Sequence, residues 1–189
     1  MDTLLSICLG IGLSAACGFR IFVPPLIMSI AAHSGHLHFS PGFAWMGSDA
    51  ALIAFVVAST IEIAGYFIPW LDHLLDVLAT PAAVVAGTIV SASTIAHLDP
   101  YLKWTLAAIA GGGIAGTIQG LTVFGRGAST ATTGGLANPL FAMMELAGAV
   151  TTSFLAVFWP LLAMGLIALV LFLLAQKFIF AKRVRPQST

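Results

Sequence analysis

The sequence contains few charged residues. Only 7% of its 189 residues are charged, whereas a soluble domain carries about 25%. The 7 basic residues balance the 7 acidic ones, so no basic surface is offered to nucleic acid. Hydrophobic residues make up 59% of the chain, more than the core of a soluble protein of this length could bury. We expect an all-α polytopic membrane protein whose main partner is the lipid bilayer.

Cysteine and N-terminal basic residues are also scarce. Cys8 and Cys17 fall on one predicted helix, about 13 Å apart by the helical rise, too far for a disulfide. No lysine or arginine precedes the first apolar run. We therefore expect that run to be a transmembrane helix rather than a cleaved signal peptide.

The apolar runs predict about six transmembrane helices, since one span takes about 20 residues. The predicted spans are residues 3–32, 50–68, 81–96 and 101–124, with two more in 139–180 that separate near Trp159 and Pro160. A polar loop is expected at 33–48 and an interfacial segment at 69–79. Two small-residue or proline breaks interrupt the spans, at Gly18–Pro25 and at Gly125–Pro139.

Basic residues gather at the end of the chain, at Lys177, Lys182, Arg183 and Arg185. By the positive-inside rule this end is cytoplasmic, as in a multi-pass protein of the bacterial inner membrane. Residues 182–189 form the basic tail. Six spans would place the N-terminus on the same side.

Two halves of the chain share short patterns. The small residues Gly10, Ser14 and Gly18 recur as glycines at a constant offset of 102 residues, and Glu62-Ile-Ala-Gly65 recurs as Glu145-Leu-Ala-Gly148. Two inverted three-helix repeats, 1–98 and 99–181, would explain both matches. The alternative is that small residues at this spacing are a common helix-packing face.

Arg20 is the sharpest candidate for a functional residue, because a charge inside a membrane segment is costly and usually functional. The half-helix that starts near Pro24 and Pro25 has no polar cap, so its free N–H groups favour an anion. With Gly18 and Arg126 these residues form the predicted substrate site. The alternatives are an Arg20 that snorkels or pairs with a glutamate, and an Arg126 that lies in a cytoplasmic loop.

Glu62 and Glu145 are the candidate proton-coupling residues. Each carboxylate lies inside an apolar stretch, where burial favours the protonated form. The alternative is a neutral glutamic acid hydrogen-bonded between helices, or a structural partner of Arg20.

Metal binding is a weaker prediction, and no cofactor is expected. Asp72 and Asp76 are four residues apart with His73 between them, a spacing that more often marks a solvated helix face. His33, His36 and His38 lack the spacing of a helical zinc pair.

The sequence resembles an uncharacterised bacterial integral-membrane family known only as a domain of unknown function. The residues that carry the resemblance are Gly18-Phe19-Arg20, Pro24-Pro25, Glu62, Pro69 and the acidic residues of 72–76. The resemblance covers roughly residues 5–163. It implies a membrane protein and brings no established substrate.

The sequence thus favours a non-enzymatic function. The preferred interpretation is a secondary transporter or channel-like carrier for a small or lipid-linked anion. Proton coupling and a homodimer are part of this expectation. One alternative is a membrane scaffold or assembly factor whose charges are structural. Another is an intramembrane enzyme acting on lipid head groups.

Overall fold

The computed structural model describes residues 3–96 and 98–183, except for the side chains of 69–74, 76, 174 and 177–183. Within these residues the chain is helical and contains no strand. The helices are α1 Thr3–Cys17, α2 Val23–His33, α3 Asp49–Gly65, α4 Pro69–Thr94, α5 Pro100–Leu106, α6 Gly113–Thr133, α7 Asn138–Phe158 and α8 Pro160–Arg183. A 3-10 turn, Ala44–Gly47, precedes α3, and a π-helical stretch, Ala107–Gly112, joins α5 to α6. The all-helical prediction is confirmed.

Three described segments are long and apolar enough to cross a bilayer: Val77–Thr94, Pro100–Thr133 and Asn138–Phe158. Shorter apolar helices are Thr3–Cys17, Val23–His33 and Pro160–Leu173. Their composition is compatible with a membrane protein. The bilayer core contains no water to hydrogen-bond free backbone N–H and C=O groups, so it favours helices.

The first predicted break is confirmed. α1 ends at Cys17 and α2 begins at Val23, with two prolines in its first turn. Proline is tolerated there because the first N–H groups of a helix have no intrahelical acceptor. At Gly18 a Cβ would lie 2.6 Å from the carbonyl oxygen of Ala115 and 2.6 Å from Cβ of Ile118. Gly18 therefore lets the break approach α6 closely.

The α1–α2 pair enters and leaves the bundle at the same end. Near the start of α1, Thr94 Oγ1 donates to the carbonyl of Ser6 at 3.1 Å. Beyond the end of α2, the N–H of Ser40 donates to the carbonyl of Ser93 at 2.7 Å. Both contacts reach the end of α4, so the chain turns back at the Gly18–Phe22 break. We call this pair the re-entrant hairpin.

Two predicted boundaries are wrong. The third span does not begin at Pro81, because α4 runs through it from Pro69 to Thr94. The second break is much shorter than Gly125–Pro139, since α6 continues to Thr133 and only four residues separate it from α7. Gly134 and Gly135 make the turn with φ of +64° and +88°, a conformation that glycine adopts without strain.

α1 lies at the centre of the bundle and packs against α4, α6, α7 and α8. Ser14 Oγ donates to the carbonyl of Gly87 at 2.7 Å. A Cβ at Gly10 would meet Thr94 of α4. A Cβ at Gly111 would meet Ser14, and a Cβ at Gly18, just after α1, would meet Ile118 of α6. α1 therefore runs antiparallel to α4 and parallel to α6.

The parallel course of α1 and α6 corrects the interpretation of the small-residue match. Helices that correspond in an inverted repeat must run in opposite directions. At Gly87 a Cβ would meet Cβ of Ala115 at 2.6 Å, and at Gly111 it would meet Cβ of Ser91 at 2.6 Å. The small residues of these helices are thus explained as a close packing face.

Candidate functional site

Glu62, in the last turn of α3, caps the N-terminus of α2. The N–H of Ile21 donates to Glu62 Oε1 at 2.7 Å, and the N–H of Phe22 donates to Oε2 at 3.0 Å. Phe22 occupies the N-cap position and has no side-chain cap bond. The carboxylate of a neighbouring helix therefore replaces the usual capping side chain, and its charge faces the positive end of the α2 dipole.

Glu145, in α7, contacts two arginines. Arg126 of α6 donates from Nε to Glu145 Oε1 at 2.8 Å and from Nη2 to Oε2, the two-point geometry in which guanidinium and carboxylate match well. Arg20 Nη2 lies 3.4 Å from the same Oε2 and donates to the carbonyl of Ala142 at 2.9 Å. One carboxylate thus joins α6 and α7 to the re-entrant hairpin.

Tyr66, directly after α3, packs against both cations. The guanidinium carbon of Arg20 lies 3.9 Å from its ring centroid, and that of Arg126 lies 4.0 Å away. The ring is buried, and a desolvated cation–π contact contributes about 2 kcal/mol. Tyr66 therefore helps to hold two like charges close together.

Arg20 is only partly satisfied within the described residues. Its side chain is 1% exposed, yet Nε and Nη1 have no hydrogen-bond partner there. A buried donor without an acceptor costs about 1–3 kcal/mol. Such groups are rare in native proteins and are often explained by function or by a bound molecule.

We call Arg20, Glu62, Tyr66, Arg126 and Glu145 the charge cluster. The two arginines and two glutamates of this cluster are all buried, at 7% exposure or less. Their formal charges cancel if both glutamates are ionised. Burial on this scale is tolerated only when charges are paired, and inside a membrane segment it indicates function by default.

Two grooves reach the charge cluster. The α6–α7 groove has a volume of about 430 Å³, is lined by α1, α6, α7 and α8, and reaches Glu145. The α3–α4 groove has a volume of about 450 Å³ and reaches Glu62 and Tyr66. The two have no lining residue in common and are otherwise mostly apolar.

The structure brings most of the predicted site residues together. Arg20, Arg126 and Glu145 are in contact, and Pro24 and Pro25 begin the helix that Glu62 caps. Arg126 lies within α6 rather than in a loop. Gly18 lies two residues before Arg20 in the chain and contacts α6.

The weaker metal prediction has no support within the described residues, which contain no group of three or more potential ligands. The side chains of Asp72, His73 and Asp76 lie outside the described part. His33 instead pairs with the exposed Asp49, with 3.0 Å between Nε2 and Oδ1.

Two members of the site were missed at the level of sequence. Tyr66 follows Glu62 by four residues, so the shared helix face was a usable signal. The carbonyl of Ala142, which accepts from Arg20, carries no sequence signal because every residue has one.

The sequence matches a family described as "Domain of unknown function (DUF4126)" over residues 7–179. The chain belongs to this family. No curated protein and no solved structure matches it. The DUF4126 assignment confirms the resemblance noted from Gly18–Arg20 and Glu62, and it brings no substrate with it.

Proposed function

We propose that the chain is a secondary transporter or channel-like carrier for a small or lipid-linked anion. Arg20 and Arg126 bind the anion, and Glu62 and Glu145 couple its movement to protons. The observation that carries this proposal is the pair of buried, unpartnered Nε and Nη1 atoms of Arg20 among the described residues. An anionic oxygen is the acceptor that a guanidinium binds most strongly.

In this mechanism Glu145 and the ligand compete for the same guanidiniums. When Glu145 takes up a proton, its carboxylate no longer holds Arg126 and Arg20 by charge. An incoming carboxylate or phosphate oxygen replaces it. Release of the ligand and the proton restores the ion pair. The proton on Glu145 therefore accompanies one negative charge of the ligand, which restores the charge balance of the buried site.

Glu62 is the second coupling residue. Its carboxylate occupies the N-terminus of α2, a position that favours any anion. Protonation of Glu62 weakens its bonds to the N–H groups of Ile21 and Phe22. The end of α2, shaped by Gly18, Pro24 and Pro25, then becomes available to the ligand.

We further propose a topology of five crossing segments and the re-entrant hairpin, in place of six spans. The crossing segments are α3, α4, α5–α6, α7 and α8. With the basic end of the chain in the cytoplasm, the N-terminus lies on the opposite side of the bacterial inner membrane. α2–α3–α4 and α6–α7–α8 then run in opposite senses, as in an inverted repeat. A homodimer would enclose a longer pathway than one short chain.

A membrane scaffold is the second candidate function. It is favoured by the two-point contact between Arg126 and Glu145, which is also what a purely structural ion pair would show. In that case the cluster serves only to join α6, α7 and the re-entrant hairpin.

The test is the thermal stability of purified protein in detergent against a panel of carboxylates and phosphates. Wild type, Arg20→Lys and Arg20→Ala are compared, with Lys103→Gln as a charge-removal control outside the cluster. A ligand that binds only the folded state adds about 2.7 kcal/mol at a hundredfold excess over its Kd. We expect one anion to stabilise wild type and Lys103→Gln but neither Arg20 variant, since lysine lacks two-point binding.

The scaffold predicts a different pattern. No anion would stabilise wild type, and Arg20→Ala would fold in low yield whatever anion is added. That result would exclude the transport proposal.

A further inference from the structure

We propose that the anion is an amphiphile with a single hydrocarbon chain, which lies in the α6–α7 groove with its anionic head at Glu145. This inference rests on the proposed function and names the class of its ligand. The charge cluster alone is compatible with a lipid-like anion and with a free small anion, and the groove distinguishes between them.

The wall of the α6–α7 groove is mostly apolar. Only Thr122, Glu145 and Thr152 among its lining residues have polar side chains. The hydroxyl of Thr122 already donates to the carbonyl of Gln119 at 2.9 Å. A hydrated small anion would lose its water along this wall without gaining partners, whereas a hydrocarbon chain loses nothing there.

One end of the α6–α7 groove is complementary in charge to an anion. Glu145 is the lining residue that contacts the guanidiniums of Arg126 and Arg20. An anionic head that replaces this carboxylate would meet both cations. The groove therefore offers one charged end and one long apolar wall, which is the pattern of an anionic amphiphile.

The size of the groove suits one hydrocarbon chain. From Glu145, where the head lies, the lining residues of α7 extend to Leu155, a length of about 15 Å at the helical rise, which equals half of a hydrocarbon core of about 30 Å. The volume of about 430 Å³ holds about 14 methylene-sized groups if each takes about 30 Å³, as a water molecule does. One acyl chain fits these dimensions.

The chain offers a matched pair of variants on α6. At Gly125, which lines the groove, a Cβ would lie 3.4 Å from Cε1 of Phe141. Leucine at this position would therefore occupy part of the groove. At Gly120, on the same helix, a Cβ would meet nothing within 4 Å. Gly120→Leu is thus the control for adding the same side chain to α6 outside the groove.

The experiment measures thermal stability in phosphatidylcholine nanodiscs with five probes. They are palmitate, hexadecyl phosphate, the neutral hexadecanol, acetate and inorganic phosphate. We expect a long-chain anion to shift the Tm at a total concentration at least about 100-fold below that of its chainless counterpart, because the chain concentrates the anion in the bilayer beside the groove and each methylene that leaves water adds about fourfold. Hexadecanol should produce no comparable shift.

Gly125→Leu should weaken the long-chain anion at least about fivefold, the effect of about 1 kcal/mol of overpacking in the groove, and leave the chainless anions unchanged. Gly120→Leu should behave like wild type. If acetate or inorganic phosphate is as effective as the long-chain anions, the ligand is a free small anion; the inference fails and the proposed function stands. If hexadecanol is as effective, the groove selects no charge and the inference also fails. If no anion shifts wild type, both fail.

Discussion

At the scale of single residues, the geometry of the charge cluster assigns unequal roles to the two glutamates. Glu145 is held by side chains, at 2.8 Å from Arg126 Nε and 3.4 Å from Arg20 Nη2. Glu62 is held by backbone N–H groups at 2.7 and 3.0 Å. A ligand competing with Glu145 must match guanidinium geometry, whereas one competing with Glu62 needs only to be an anion of similar size.

The aromatic ring of Tyr66 gives a first prediction. Tyr66→Leu should lower the Tm more than Tyr66→Phe, because leucine loses both cation–π contacts and each contributes about 2 kcal/mol in a dry site. Thermal unfolding in detergent measures the difference. The neighbouring Phe67 is 51% exposed, so Phe67→Leu serves as a control with little expected effect. Equal losses for the two Tyr66 variants would contradict a role for the ring face.

At the scale of helices, the re-entrant hairpin depends on a cap supplied from outside it. The residues before α2 include no Ser, Thr, Asn or Asp to act as N-cap. Glu62, 40 residues further along the chain from Phe22, provides the acceptors. α2 is therefore expected to be ordered only when α3 is packed beside it.

This dependence can be measured in Glu62→Gln. The amide keeps the size of the side chain but has one oxygen and no charge, and a hydrogen bond to a charged group contributes about 1.5–3 kcal/mol. We expect a lower Tm and faster amide hydrogen exchange at Ile21 and Phe22. Asp99→Asn, at the N-cap of α5, is the control, because asparagine caps a helix about as well as aspartate. Unchanged exchange at Ile21 and Phe22 would show that Glu62 is not the cap.

Close helix packing gives a third prediction, from two glycines that are two residues apart. At Gly111 a Cβ would lie 2.6 Å from Cβ of Ser91 and 2.8 Å from the carbonyl of Gly87, whereas Gly113 has open space. Gly111→Ala should therefore destabilise the fold by about 1–3 kcal/mol through overpacking. Gly113→Ala should stabilise it by up to about 1 kcal/mol through helix propensity. Thermal unfolding of both variants tests this, and a stabilised Gly111→Ala would contradict the packing.

At the scale of the whole molecule, the proposed topology depends on the re-entrant hairpin. α1 starts and α2 ends beside the end of α4, at Thr94 and Ser93. In the proposed topology these two helices make no net crossing. The remaining crossing segments are odd in number, so the proposal places the two termini on opposite sides of the membrane.

Cysteine labelling tests this topology, since the native Cys8 and Cys17 are buried. His36→Cys, in the loop after α2, should react with a membrane-impermeant reagent in intact cells. Leu136→Cys, 88% exposed between α6 and α7, should react only in inverted vesicles. An N-terminal epitope should be accessible on the same side as residue 36. An epitope accessible beside residue 136 would restore the even number of spans.

The amount that could be predicted from sequence differs between these features. The break at Gly18–Phe22 was predictable because glycine and paired prolines act on their own stretch of backbone. The false start at Pro81 shows the limit, since packing of α4 against α1 overrides one lost hydrogen bond. The long second break was wrong for a local reason: the hydroxyls of Thr132 and Thr133 donate to carbonyls of their own helix and leave that helix intact.

The sequence by itself determined the apolar, helical composition and singled out Arg20, Glu62 and Glu145 as charges inside apolar stretches, because hydropathy and helix breaking depend on neighbouring residues. Only the tertiary structure decided which charges meet. Glu62 caps α2, Glu145 takes both arginines, and Arg126 joins the cluster because α3, α6 and α7 lie beside the hairpin. The same packing made α1 parallel to α6 and turned the first span back on itself. These outcomes depend on residues far apart in the chain, where local patterns carry no information.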